Sequence, residues 1–198
     1  MPRRGHNPGQ PVEGAALDWA TYLDGLIAEH GTLAAVAERL AAARAYRDDV
    51  ESITRALRRL RARGTRPGGT WGLRLATICG LPRPVDARLR FLGSYHARGV
   101  DLPVPVAIDL VQLWDRPPTS DSKGGRRWLS LARAILAGRG RRPEDAAGHL
   151  ATAARVVDDD RAGAIEVAGR AGYVTLDMSP GYGSSGVVIA MLAALNPL

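Results

Sequence analysis

Lysine occurs once in this chain, at position 123, and cysteine once, at position 79. One cysteine excludes a disulfide framework and points to a reducing compartment. Cys79 lies in an apolar stretch with no histidine or basic cluster beside it, so a structural thiol is expected rather than a nucleophile. Aromatic residues make up only 5% of the 198 residues. A core must therefore come from Ala, Leu, Val and Ile, which favours closely packed helices over a β-sandwich. No stretch approaches the roughly 18–20 apolar residues of a membrane span. Residues 1–14 hold Arg3 and Arg4 among Pro and Gly without an apolar stretch, so no signal peptide is expected, and the expected location is the cytoplasm. The four histidines, His6, His30, His96 and His149, are scattered without metal-ligand spacing. No Ser-His-Asp order and no H-E-x-x-H stand out. The expectation is a protein with no catalytic residues, no metal and no cofactor.

What the chain has instead is arginine. All but one of its 27 basic residues are Arg, and the formal net charge is +7. A GC-rich gene explains the number but not the placement. Residues 38–98 carry 14 Arg against 5 acids, whereas the remainder carries 13 basic and 15 acidic residues. The whole positive excess thus sits in one segment, which suggests an anionic partner.

Apolar spacing predicts about nine or ten helices. Residues 1–15 read as a disordered lead-in. Helices are expected at 17–30, 33–43, 49–63, 71–79, 85–98 and 104–114. Gly31 and Gly64 are placed as stops, Thr32 as an N-cap, and Asp48 and Asp49 as carboxylates opposing a helix dipole. Residues 116–125, with Pro117, Pro118, Ser120 and Ser122, read as a polar linker between a helical domain (16–115) and a second part (126–198). Further helices are expected at 128–137 and 143–157, and then to about Ala171 behind the acidic Asp158, Asp159 and Asp160. The last, at 187–195, is apolar all round and must be buried or form a subunit interface. Gly181, Gly183 and Gly186 fit G-x-G-x-x-G, but no acidic residue follows about 20 positions on. The stretch therefore reads as a loop feeding a helix. The fold class expected is all-α: a helical bundle with C-terminal hairpins.

Two stretches carry a family resemblance. The decapeptide Gly31-Thr32-Leu33-Ala34-Ala35-Val36-Ala37-Glu38-Arg39-Leu40, followed by the helix at 49–63, resembles the helix-turn-helix of bacterial transcriptional regulators. The resemblance covers about residues 17–64 and implies DNA binding, with the second helix as the recognition helix. Its stripe Ile53, Leu57 and Leu60 would dock inward and leave Ser52, Arg55, Arg58, Arg59 and Arg63 outward. Arginine suits either phosphates or guanine edges in the major groove. Arg66 and Arg74 flank the next Gly/Pro loop and are expected to hold the DNA backbone beside it.

The second stretch, about 128–171, weakly resembles the tetratricopeptide repeat. Trp128 and Leu131 match its opening W-x-x-L, Ala132 and Ile135 follow, and Ala146, Leu150 and Ala153 match its second helix. Such a hairpin implies a protein-interaction module, and the apolar tail suggests a homodimer surface. The expected function is a DNA-binding, regulator-like protein that contacts double-stranded DNA and a protein partner or second copy, with no membrane partner. The alternative is a non-enzymatic helical adaptor whose basic stripe meets an acidic protein.

Overall fold

The computed structural model describes residues 17–43, 49–64, 71–94, 102–157 and 166–169. All regular structure among them is helical, with no strand, so the fold is all-α. Eight helices are defined: α1 (Trp19–His30), α2 (Leu33–Ala42), α3 (Val50–Arg63), α4 (Trp71–Cys79), α5 (Arg83–Gly93), α6 (Val104–Trp114), α7 (Lys123–Arg139) and α8 (Pro143–Val157). The lead-in 1–15, the acidic run 158–160, the glycine-rich loop and the apolar tail lie outside the described residues.

The first three helices begin on side-chain caps. Asp18 accepts from the Thr21 amide at 2.7 Å, Thr32 from the Ala35 amide at 3.0 Å, and Asp49 from the Ser52 amide at 2.8 Å. Each cap satisfies a donor that a helix start leaves without an intrahelical partner. The buried stripes Trp19-Tyr22-Leu23-Leu26, Val36-Ala37-Leu40 and Ile53-Leu57-Leu60 then meet in one core. Helices α2 and α3 pack on each other, α1 packs against both, and α4 closes over α2.

A second layer surrounds α7. Helices α5, α6 and α8 all pack against it. Trp128, Leu129, Leu131, Ala132, Ala134, Ile135 and Ala137 are buried, so α7 is apolar over most of its circumference. It begins at Lys123, five residues before the expected start, because Ser122 caps it by accepting from the Gly125 amide at 2.9 Å. The stretch expected as a linker is therefore a packed turn running into a helix, with Thr119 and Ser122 buried. The Pro117–Pro118 bond within it is cis. Helix α5 spans Arg83–Gly93 and starts two residues before the expected 85, because Pro82 supplies its N-cap and Pro84 fits its first turn; residues 95–98 of the expected range lie outside the described residues.

The two layers are joined directly. The Tyr22 hydroxyl on α1 donates to the Gly80 carbonyl at 2.5 Å, and the Arg83 amide donates to the Glu29 carboxylate. Burial holds the Tyr22 phenol well above its usual pKa, so it stays a donor. A Cβ on Gly25 would stand 2.8 Å from the Pro82 ring, so α1 lies against the start of α5 with no space between. Across the second layer the Trp128 indole N–H donates to Asp86 Oδ1 at 2.9 Å.

The α7–α8 hairpin contains the residues that match the repeat pattern. Trp128, Leu131, Ala132, Ile135, Ala146, Leu150 and Ala153 are all buried in it. Small side chains at positions 132, 146 and 153 let the two helices approach closely.

Candidate nucleic-acid interface

Helix α3 packs its aliphatic stripe inward and turns its charged residues to solvent. At about 100° per residue, Arg55, Arg58 and Ala62 fall opposite that stripe, with Arg59 beside them. Ser52 and Arg63 fall on one flank and Arg61 on the other. Ser52, Arg55, Arg58, Arg59 and Arg63 are all exposed. No described helix covers this face.

The arginines differ in what holds them. Arg55 pairs with Glu51 one turn earlier at 3.2 Å, and the two side chains are 63% and 85% exposed. Such a pair in open solvent is weak, but it partly neutralises the middle of the face. Arg61 reaches across to Asp24 on α1 at 2.7 Å, which fixes the flank of α3 against α1. Arg58, Arg59 and Arg63 form no ion pair with any described residue. Arg59 Nε makes only a long contact, 3.4 Å, with the Arg55 carbonyl.

Charge also runs along the axis of α3. Its first turn is acidic. Asp49 caps the helix and is held below its usual pKa, first by the Ser52 amide, and Glu51 follows. The last turns are basic, which suits the negative end of the helix dipole. Gly64 then ends the helix in a left-handed conformation, with its amide bonded to the Leu60 carbonyl.

Of the other expected contacts, Arg66 lies outside the described residues. Arg74 does not stand at the surface. It is 6% exposed, with its guanidinium 4.3 Å from the centroid of the Trp71 ring. A phosphate outside the protein cannot reach it. The apolar run around it on α4 predicts burial better than its charge predicts exposure. Glu51 is a member of the face that charge counting over a long segment passes over. Its signal was present in the Glu-x-x-x-Arg spacing.

Among the described residues no group of three or more His, Cys, Asp and Glu could hold a metal ion. Burial pushes the Cys79 thiol up to about 11, so it is a poor nucleophile. A shallow cleft between α5, α6 and α7 is lined by Leu92, Ala107, Val111, Ala132, Ile135, Leu136 and Arg139. The Arg139 guanidinium there donates to the Leu102 carbonyl at 2.9 Å. No described helix is long and apolar enough to cross a membrane.

No family model, characterised protein or solved structure matches this chain.

Proposed function

We propose that the chain is a DNA-binding, regulator-like protein that docks on the duplex through the solvent face of α3, with the α7–α8 hairpin as a protein-interaction module. One observation supports this reading above the others. Three arginines, Arg58, Arg59 and Arg63, stand exposed on one helix without acidic partners among the described residues, while the opposite side of that helix is packed away. A guanidinium that pairs with nothing in its own fold retains its full attraction for a phosphate. The site is made of Arg58, Arg59 and Arg63, with Arg55 and Ser52 beside them.

Retention on duplex DNA as a function of salt tests it. Binding through phosphates weakens steeply as salt rises, because bound counterions are released on association. The triple variant Arg58→Ala, Arg59→Ala and Arg63→Ala is expected to lose retention and to keep its far-ultraviolet dichroism, since none of the three side chains packs in the core. Undiminished retention by that variant removes α3 from the site.

The second reading, an adaptor for an acidic protein, is favoured by exposed apolar side chains away from α3. Phe91 on α5 and Val106 and Ile108 on α6 are 55%, 43% and 39% exposed. A helical partner would use such positions alongside the basic stripe. Loss of partner capture by a Val106→Asp, Ile108→Asp variant as well as by the triple arginine variant, with no retention of either the wild type or the variants on duplex DNA, would favour the adaptor.

A further inference from the structure

The charge order along α3 bears on which part of a duplex it meets. A recognition helix that reads sequence puts its N-terminal residues against base edges in the major groove. Here that end carries Asp49, an ionised cap, and Glu51, which is 85% exposed. The Ser52 amide is already taken by Asp49 at 2.8 Å. Arg55 is the arginine closest to that end, and Glu51 holds it at 3.2 Å. The groove of a duplex is lined on both sides by phosphates, so two carboxylates leading into it meet repulsion.

The three arginines without acidic partners among the described residues lie in the last two turns. From Arg58 to Arg63 they span roughly 7–8 Å of helix axis at about 1.5 Å per residue. Arg59 and Arg63 are one turn apart on the same side, about 5–6 Å between their Cβ atoms. The positive charge is therefore compact and lies at the opposite end from the acids.

We infer that α3 binds the sugar–phosphate backbone of duplex DNA mainly through Arg58, Arg59 and Arg63 without reading base sequence, and that Glu51, by pairing with Arg55 and repelling phosphate, reduces the share of Arg55 in the contact. This inference rests on the reading of α3 as the DNA-contacting surface. It adds that the contact is with the backbone, and it gives Glu51 an antagonistic role. Three neutralised phosphates correspond to a slope of about −2.7 in a plot of log affinity against log salt, at roughly −0.9 per phosphate on B-form DNA.

The experiment measures affinity of the full-length protein for several 20-base-pair duplexes of equal length and different sequence, over a range of salt. The expected result is equal affinity across duplexes within about threefold and a slope of about −2.7. Arg58→Gln, Arg59→Gln and Arg63→Gln should each reduce the slope by about one, equally on every duplex. Glu51→Gln should do the reverse: Arg55 is freer to meet a fourth phosphate, the slope steepens by up to about one, and binding tightens. Glu144→Gln, which removes an exposed acid from the far α8, should leave the slope unchanged. Far-ultraviolet dichroism checks that Glu51→Gln keeps its helices, so this variant remains informative if an arginine variant folds poorly.

A preference above about tenfold for one duplex, sensitive to α3 variants, overturns the backbone inference and leaves α3 as a DNA-binding surface. An unchanged slope in Glu51→Gln overturns the role given to Glu51. No retention of any duplex at low salt overturns both the inference and the reading beneath it. Equal retention on poly-glutamate of matched charge also overturns both, in favour of an acidic protein partner.

Discussion

Cys79 ends α4 and is partly buried, and burial raises its thiol from the ordinary 9.0 to about 11. The folded state thus favours the protonated form. Its contribution to stability is complete below about pH 9 and disappears as pH rises from about 9 to about 11, because the unfolded chain releases the proton first. The unfolding free energy from chemical denaturation should fall across that interval by up to about 3 kcal/mol, and Cys79→Ala should flatten the fall. A single apolar-embedded cysteine was readable in the sequence as structural. Arg141 was not readable in the same way. It joins α7 to α8 with φ +54°, a left-handed conformation that suits glycine. Nothing in an arginine beside Gly140 says which of the two residues will take that conformation. Arg141→Gly should raise stability by about 0.5–1 kcal/mol in urea melts, since glycine takes the left-handed conformation without strain and the side chain removed is exposed.

Among the elements, α6 and α8 run over the ranges that apolar spacing gives, 104–114 and 143–157. Both have prolines at their start, Pro103 and Pro105 for α6 and Pro143 for α8, which is a strong local signal. Helix α7 shows where local signals mislead. Gly124 and Gly125 suggest a flexible link by composition, yet both lie in its first turn. The reason is steric. A Cβ at Gly125 would stand 2.0 Å from the Thr119 carbonyl oxygen, so the glycine is required by the preceding turn folding back on the helix. Gly125→Ala should therefore destabilise the protein by more than about 2 kcal/mol, despite alanine's better helix propensity of about 1 kcal/mol. Gly148→Ala on α8 is the control, because nothing lies within 4 Å of the added carbon. It should stabilise by about 1 kcal/mol, so one substitution in two helices changes the urea midpoint in opposite directions. For α3 the sequence conveyed the basic face and its aliphatic back. The withdrawal of Arg61 to Asp24 depends on how α1 crosses α3, which residue spacing does not encode.

At the scale of the whole molecule, composition and periodicity were enough for an all-α class, because alanine and leucine at three- and four-residue spacing admit few alternatives. The relation between the two layers was not legible. The contacts that hold α1 against the α4–α5 turn and the start of α5, Tyr22 with Gly80, Glu29 with Arg83 and Gly25 with Pro82, pair residues more than fifty positions apart. Buried side chains from α1 to α8 belong to one continuous core. Melting should accordingly be a single transition in scanning calorimetry, with the calorimetric and van't Hoff enthalpies agreeing. Two resolved peaks, or a van't Hoff enthalpy well below the calorimetric one, would show that the parts unfold separately.

Trp128 sits inside the second layer, where α7 meets α5. Its indole is fully buried, its N–H is held by a carboxylate, and the guanidinium of Arg127 lies 4.4 Å from its ring centroid and that of Arg90 5.3 Å. An excited indole responds to exactly such neighbouring charges through the colour and yield of its emission. The chain thus carries a native optical gauge at the seam between α5 and α7, able to register a shift of one helix against the other while every helix stays intact.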